Sequence, residues 1–373
     1  MADMLSPLAS PAVTHDVLEF HGLSTKHSLG QNFLVNDAIL QKIVDLAELR
    51  PQDDVLEVGP GIGTLTIALL KRAGRVVSVE RDRDLPRVLA DTLEPWADRF
   101  ALISKDALDL TEDDVRQALA SCGESSLVEG RAPRAVPHGR QLGELSTHTF
   151  PARAGVSVDC SPKQDCLSTG YVPQPSGGSI SRSEEPGVSV HTFPNKFVAN
   201  LPYAVAATLV LDFFERFEWL ESATVMVQKE VADRMCAEVG TKNYGAYTVK
   251  LRLHAEACGR FLVSPNNFFP PPHVDSSVIR LNRRPVLDDQ GRELSPDLLR
   301  AACDMADAAF ASRRKTIANS FKMYFASRGN EGKAFIGRIG ELLDAAGIDA
   351  RRRGETLALD EFVKLGDAYL GMK

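Results

Sequence analysis

Apolar positions recur along this chain in two alternating rhythms. Residues 36–49 place Ile39, Leu40, Ile43, Val44 and Leu46 at helical spacing behind Asn36 or Asp37 as an N-cap, and Pro51 ends the run. A short apolar stretch over 54–58 reads as a buried strand, which breaks at Gly59-Pro60-Gly61-Ile62-Gly63 into a helix over 64–72. A strand over 75–80, a helix near 85–93, a strand over 100–104 and a helix ending near Ala120 follow. The same rhythm resumes with a strand over 196–199, an apolar helix over 206–217 and a strand over 223–228, and two more strands are predicted over 255–263 and 276–281. Strand alternating with helix predicts an α/β fold with a parallel sheet covered on both faces. Beyond Pro285 only the helical period remains, over 298–310, 315–325 and 334–346, which predicts a small separate all-α domain. Residues 1–25 carry no sustained period and are expected to form a flexible arm.

The alternation is interrupted over 121–194, where 29 of 74 positions are Gly, Pro or Ser. Such a composition buries too little apolar surface to offset chain entropy, so an inserted disordered segment or long loop is expected. His148-Thr149-Phe150-Pro151 recurs at 191–194, and Gly155-Val156-Ser157-Val158 recurs at 187–190. Two copies in opposite order do not make a solenoid. The insert should leave the fold at the amino end of the strand beginning at Lys196, away from the sheet edge that binds ligands in open α/β folds. Deleting 122–192 is therefore expected to leave catalysis intact.

Composition narrows the class without naming it. With 44% hydrophobic and 25% charged residues in 373, the chain is globular rather than disordered, collagen-like or coiled-coil. It has no run approaching ~18 apolar residues and no signal-peptide pattern, so a cytoplasmic protein with no membrane partner is expected. The six cysteines form no CxxC pair, and His138, His148, His191, Cys160 and Cys166 have no metal-ligand spacing, so reduced thiols and no metal are expected. The formal net charge of −7 argues against coating nucleic acid by bulk charge. It conceals a basic segment: over 311–333, Arg313, Arg314, Lys315, Lys322, Arg328 and Lys333 stand against Glu331 alone. Such clustering in an acidic chain points to phosphate contacts, with a solvated helix face as the plain alternative. Arg351-Arg352-Arg353 could serve either purpose.

The candidate chemistry lies at strand ends. Glycines at 59, 61 and 63 let backbone approach a ligand, and Glu80, at the end of the next strand, can accept both ribose hydroxyls of an adenosine ligand. These features alone suit NAD as well as S-adenosyl-L-methionine. Pro60 in the loop and Glu57 in the strand depart from the spacing that packs a pyrophosphate, which favours the methyl donor, and Asp106 after the third strand can accept from its adenine amine. Asn200-Leu201-Pro202-Tyr203 closes a later strand. The exocyclic amine of adenine is a weak nucleophile because its lone pair is conjugated into the ring. The Asn200 side-chain oxygen and the Leu201 carbonyl can accept both amine hydrogens and orient that lone pair. Pro202 stiffens the turn, and Tyr203 offers a face for an extruded base.

Four motifs in order carry a family resemblance: Ser28-Leu29-Gly30-Gln31-Asn32-Phe33-Leu34, Glu57-Val58-Gly59-Pro60-Gly61, Asn200-Leu201-Pro202-Tyr203, and the run from Phe268-Phe269-Pro270 to Ser276. The sequence resembles the KsgA-type ribosomal RNA small-subunit adenine N6,N6-dimethyltransferases over about residues 26–120 and 195–373. The resemblance implies a Rossmann-like class I S-adenosyl-L-methionine-dependent methyltransferase domain over 26–285, interrupted by the insert, and a helical RNA-binding domain over 286–373. It further implies that Asn32, Leu34, Gly59, Gly61, Glu80, Asp106 and Asn200 lie at the cofactor and that Phe268 faces Tyr203 to clamp the target adenine. Arg313, Arg314, Lys315 and Lys322 would contact RNA. The implied partner is small-subunit rRNA in an assembling 30S particle, met by a monomer that dimethylates two adjacent adenosines in a 3′-terminal hairpin loop of 16S rRNA. Three alternatives stand beside it: a large-subunit dimethylase of the macrolide-resistance type, a non-catalytic ribosome-assembly factor, and an NAD enzyme, for which no catalytic His, Lys or Tyr constellation can be placed.

Overall fold

Short apolar runs without helical period become the central strands. In the computed structural model, which describes residues 4–24, 31–122, 191–288 and 291–372, seven of them form one sheet. These are β2 (Asp54–Val58), β3 (Arg75–Glu80), β4 (Phe100–Ser104), β5 (Lys196–Asn200), β6 (Ser222–Gln228), β7 (Ala255–Val263) and β9 (Ser276–Arg283), in the order β4-β3-β2-β5-β6-β9-β7. The first five strands in that order are parallel, and β9 pairs antiparallel with both β6 and β7. All five residues of β2 are buried, as expected of a strand covered on both faces. The order reverses between β2 and β5, which creates a crevice at their carboxyl ends.

Two apolar layers sandwich the sheet. One face carries α2 (Asp37–Ala47), α3 (Thr64–Leu70) and α4 (Leu85–Thr92), and the other carries α5 (Glu112–Ser121), α6 (Ala206–Arg216) and α7 (Lys229–Met235). The Asn36 side chain caps α2 by accepting from the Ala38 amide, as its sequence position suggests. A two-stranded ribbon, β1 (Phe33–Leu34) with β8 (Phe268–Phe269), joins distant parts of the chain.

The segment before residue 25 is not a loose arm. Pro11–Phe20 forms α1, and Leu5, Leu8 and Leu18 are buried against the first layer. The Asp37 carboxylate accepts from the Leu5 and Ser6 amides at 3.2 and 3.0 Å, and Lys71 Nζ donates to the Met4 carbonyl. Burial of three leucines outweighs the ordering cost there, a tertiary effect with too short a period to read in advance.

The C-terminal helices have a core of their own, within the same compact unit, Met1–Leu127 with Pro186–Lys373. They are α9 (Pro296–Phe310), α10 (Ile317–Ala326), α11 (Gly329–Phe335), α12 (Ile339–Ala345) and α13 (Leu359–Gly371). The helix expected over 334–346 is broken by a 3-10 turn at Ile336–Arg338, and α13 adds an element that the sequence reading missed. Their core reaches back to Tyr244, Val249 and Leu253 around α8 (Ala246–Arg252), so the helical layer begins before Pro285. A Cβ on Gly366 would lie 2.7 Å from the Ala302 amide nitrogen, so glycine lets α13 press against α9.

The insert's histidines and cysteines (His138, His148, Cys160, Cys166), both Gly-Val-Ser-Val copies and the first His-Thr-Phe-Pro copy lie outside the described residues. Its flanks meet the amino edge of the sheet as expected. The Arg75 guanidinium donates to both carboxylate oxygens of buried Asp54 at 3.0 and 2.6 Å and to the His191 carbonyl at 2.9 Å. Asn195 accepts from the Asp54 amide and donates to Asp53, while Phe193 stacks on Trp219 at 5.2 Å.

Candidate active site

The carboxyl ends of β2 and β5 open into a cavity of about 380 Å3, within the usual size of small-ligand sites. The β2–α3 turn forms one wall. Gly59, Gly61 and Gly63 have φ of 70°, 62° and 91°, the left-handed region that glycine occupies without strain. A Cβ on Gly61 would approach Phe33 Cε1 to 3.0 Å, so the ring of β1 closes on bare backbone.

Carboxylates line the next wall. Glu57 is 1% exposed, and its Oε2 accepts from both Thr66 and Ser78 hydroxyls at 2.7 Å. Burial pushes its carboxyl up to about 7, an effect that the two hydroxyl donors oppose and the nearby Glu80 charge reinforces. Burial also raises Glu80, whose Oε1 accepts from the Asp82 amide at 2.8 Å. Asp106 accepts from the Leu108 amide at 3.1 Å and pairs with Arg81 at 3.2 Å across the cavity rim.

The Asn-Leu-Pro-Tyr turn forms the opposite wall. Asn200 ends β5, and its amide nitrogen donates to the Asn32 carbonyl at 3.2 Å, which commits the nitrogen and leaves the side-chain oxygen as an acceptor. The Leu201 amide is taken up by the Met226 carbonyl at 3.1 Å. The Tyr203 hydroxyl bonds Ser276 Oγ at 2.7 Å, which fixes the ring, and burial pushes its pKa up, so the phenol stays protonated.

The cavity thus gathers Asn32, Leu34, Gly59, Gly61, Glu80, Asp106 and the whole Asn200–Tyr203 turn. Phe268 is different. Its pairing with Leu34 turns its side chain into the core, where it is 3% exposed, and it is not among the residues that line the cavity. Ser28, Leu29 and Gly30 lie outside the described residues. The sequence reading missed Phe33, Glu57 as a cavity wall, and Thr64. The Thr64 hydroxyl is buried without a hydrogen-bond partner and borders the cavity, a polar atom left for a ligand. Gln31, also unforeseen, donates to Asp82 at 2.8 Å.

The basic segment divides. Arg313 is bound to Glu355 at 3.0 Å and to the Thr241 carbonyl, so it holds the fold. Arg314, Lys315 and Lys322 are exposed and make no ion pair among the described residues. The second run is structural in part: Arg351 pairs with Asp349 and Arg352 with Glu361.

A sheet of this order, parallel but for β9 and bearing a glycine turn, a buried acid at the next strand end and an Asn-Leu-Pro-Tyr turn, defines a class I S-adenosyl-L-methionine-dependent methyltransferase. The chain belongs to the ribosomal RNA adenine dimethylase family, whose profile matches residues 22–135 and 185–363. It is therefore an rRNA adenine methyltransferase with S-adenosyl-L-methionine as methyl donor. It is 33% identical over 369 residues to ribosomal RNA small subunit methyltransferase A of Geobacillus kaustophilus, covering 98% of both chains. The protein of the same name from Pelotomaculum thermopropionicum is 35% identical over 366 residues, covering 97% of each. The fold resembles a dimethyladenosine transferase from Plasmodium falciparum (TM-score 0.56, 20% identity, covering 89% of this chain and 95% of that one). It also resembles the 23S rRNA methyltransferase ErmE (TM-score 0.50, 20% identity, covering 90% and 99%).

The residues present fit the methyl donor. Side-chain-free glycines, an unpartnered Thr64 hydroxyl and buried carboxylates suit a ligand that is cationic, rich in hydrogen-bond donors and free of phosphate.

Proposed function

We propose that this protein dimethylates N6 of two adjacent adenosines in a 3′-terminal hairpin loop of small-subunit rRNA, acting in the cytoplasm as a monomer on an assembling 30S particle. The observation that carries the reading is the Asn200 side chain, anchored by its nitrogen on the Asn32 carbonyl at the rim of the cavity. The names of the full-length relatives support the choice of subunit.

Bound S-adenosyl-L-methionine supplies an electrophilic methyl on a sulfonium. Glu80 accepts from the ribose hydroxyls and Asp106 from the adenine amine of that cofactor, while the backbone at Gly59 and Gly61 passes alongside it. Asn32 and Leu34 close the same wall. Asn200 Oδ1 and the Leu201 carbonyl accept the two hydrogens of the target amine, so its lone pair points at the methyl. Fixing that geometry is worth several kcal/mol of barrier in general. Pro202 keeps the turn rigid, and Tyr203, pinned through Ser276, stacks on the extruded base. No strong base would be needed, since the sulfonium would release a neutral thioether and the proton of the methylated amine would pass to water afterwards. Arg314, Lys315 and Lys322 hold RNA phosphates.

The test is transfer of labelled methyl groups to immature small subunits and, separately, to large subunits, followed by mapping with primer extension. Dimethyladenosine near the 3′ end of the small-subunit rRNA is expected. Label in large-subunit rRNA, or none in either, overturns the proposal.

A further inference from the structure

Away from the cavity, three side chains that no sequence spacing joins come together: Glu215 near the end of α6, His254 just before β7, and Cys303 in α9. A carboxylate oxygen, an imidazole nitrogen and the thiol sulfur all lie within 4.8 Å of one another. Among the described residues, none of the three side chains makes a hydrogen bond or ion pair. Glu215 is exposed and the other two are half-buried, and three polar groups that converge without bonding one another leave room for a shared partner. The charges acting on the group are Asp212, Asp304 and Asp307 against Lys250 and Arg283, and Lys250 is itself held by Asp307 at 3.0 Å. Asp212 and Asp304 are likewise held by Arg216 at 2.7 Å and Arg328 at 3.5 Å, so among the described residues the unpaired carboxylate at the group is its own Glu215.

We propose that Glu215, His254 and Cys303 form a zinc site with water as the fourth ligand. A mixed sulfur, nitrogen and carboxylate set suits Zn2+ and excludes Mg2+ or Ca2+, which take oxygen ligands. Burial lowers His254 to about 4, so its lone pair is available at neutral pH. Burial pushes Cys303 up to about 12, so the metal must displace the thiol proton, and one proton leaves to solvent for each zinc bound by sulfur. With bonds of about 2.0–2.3 Å, tetrahedral ligands sit roughly 3.3–3.8 Å apart, so atoms that lie within 4.8 Å of one another close in by at most about 1.5 Å, within reach of side-chain rotation. The bound ion would tie α6 and the start of β7, both on the catalytic sheet, to α9 of the helical layer.

The full-length, chelator-treated protein is titrated with Zn2+, and alkylation of each cysteine is followed by peptide mass spectrometry. One equivalent is expected to slow modification of Cys303 at least tenfold, while Cys122, Cys236 and Cys258 are unaffected. Co2+ should give a thiolate charge-transfer band that C303S abolishes and H254Q weakens. Melting of both variants without metal checks that they fold. Undiminished Cys303 reactivity, protection falling instead on Cys160 or Cys166, or an unchanged cobalt band in C303S overturns the proposal. The wild-type protection measurement decides the matter even if a variant does not fold.

Discussion

The two edges of the sheet treat polar groups in opposite ways. At the amino edge, Asp54, Arg75, Asn195 and the His191 carbonyl satisfy one another, and the buried Asp54 carboxylate receives two charge-assisted bonds from Arg75. At the carboxyl edge, Glu57 and Glu80 are buried with their carboxyls shifted upward, Thr64 has no partner, and three glycines leave backbone bare. One edge is complete without a ligand, whereas the other carries a desolvation cost that a cationic, donor-rich ligand relieves. The same contrast explains where a long insertion is tolerated: the chain departs beside the closed network and not beside the cavity.

The comparison breaks most sharply at Asn200. Asn200→Ala should fold and bind cofactor yet lose methylation on the order of 10³-fold, about 4 kcal/mol, since the acceptor for the amine is gone. Single-turnover assays with equilibrium cofactor binding would check this, and near-normal turnover contradicts the role assigned to Asn200.

Glu57→Gln tests the strained edge through pH. The folded carboxyl sits near 7 against an unfolded value of 4.5, so the stabilising contribution of neutral Glu57 is complete below about 4.5. It is lost as pH rises to about 7, amounting to about 3 kcal/mol. The stability of cofactor-free wild type should therefore fall relative to the Gln variant between pH 4.5 and 7. A constant difference across that window in denaturant titrations would show that Glu57 does not titrate there.

Asp54→Ala tests the closed edge. It strands Arg75, which is 23% exposed, so the loss should lie near the lower end of the range for buried pairs, about 3 kcal/mol by urea unfolding. Cofactor affinity should not change, and a parallel loss would mean that the two edges are coupled.

The smallest effect is expected from deleting 123–190, which spares the His191 carbonyl and the Phe193 stack on Trp219. Methylation and melting temperature should match the intact protein. A folded but inactive deletion variant would give the insert a catalytic role.

Sequence period placed the strands from Asp54 to Arg283 and the first C-terminal helices closely, because buried strands and amphipathic helices each write their own apolar spacing. The Asn200–Tyr203 turn and the glycine loop were legible for the same reason: each is contiguous, and its chemistry is local. The burial of Phe268 was not legible because the β1–β8 pairing that turns it inward joins residues more than 200 positions apart. The N-terminal helix and the structural use of Arg313 likewise depend on partners remote in sequence.

The sequence by itself determined the alternation of elements, the turn chemistry at two strand ends and the family, all of which rest on spacing within a few residues. Only the tertiary structure decided which polar groups are satisfied. It paired Asp54 with Arg75, left Thr64 unpartnered beside the cavity and brought Glu215, His254 and Cys303 within 4.8 Å of one another. Desolvation and pairing depend on everything that surrounds a group in space, and neighbours in space are not written in the order of the chain.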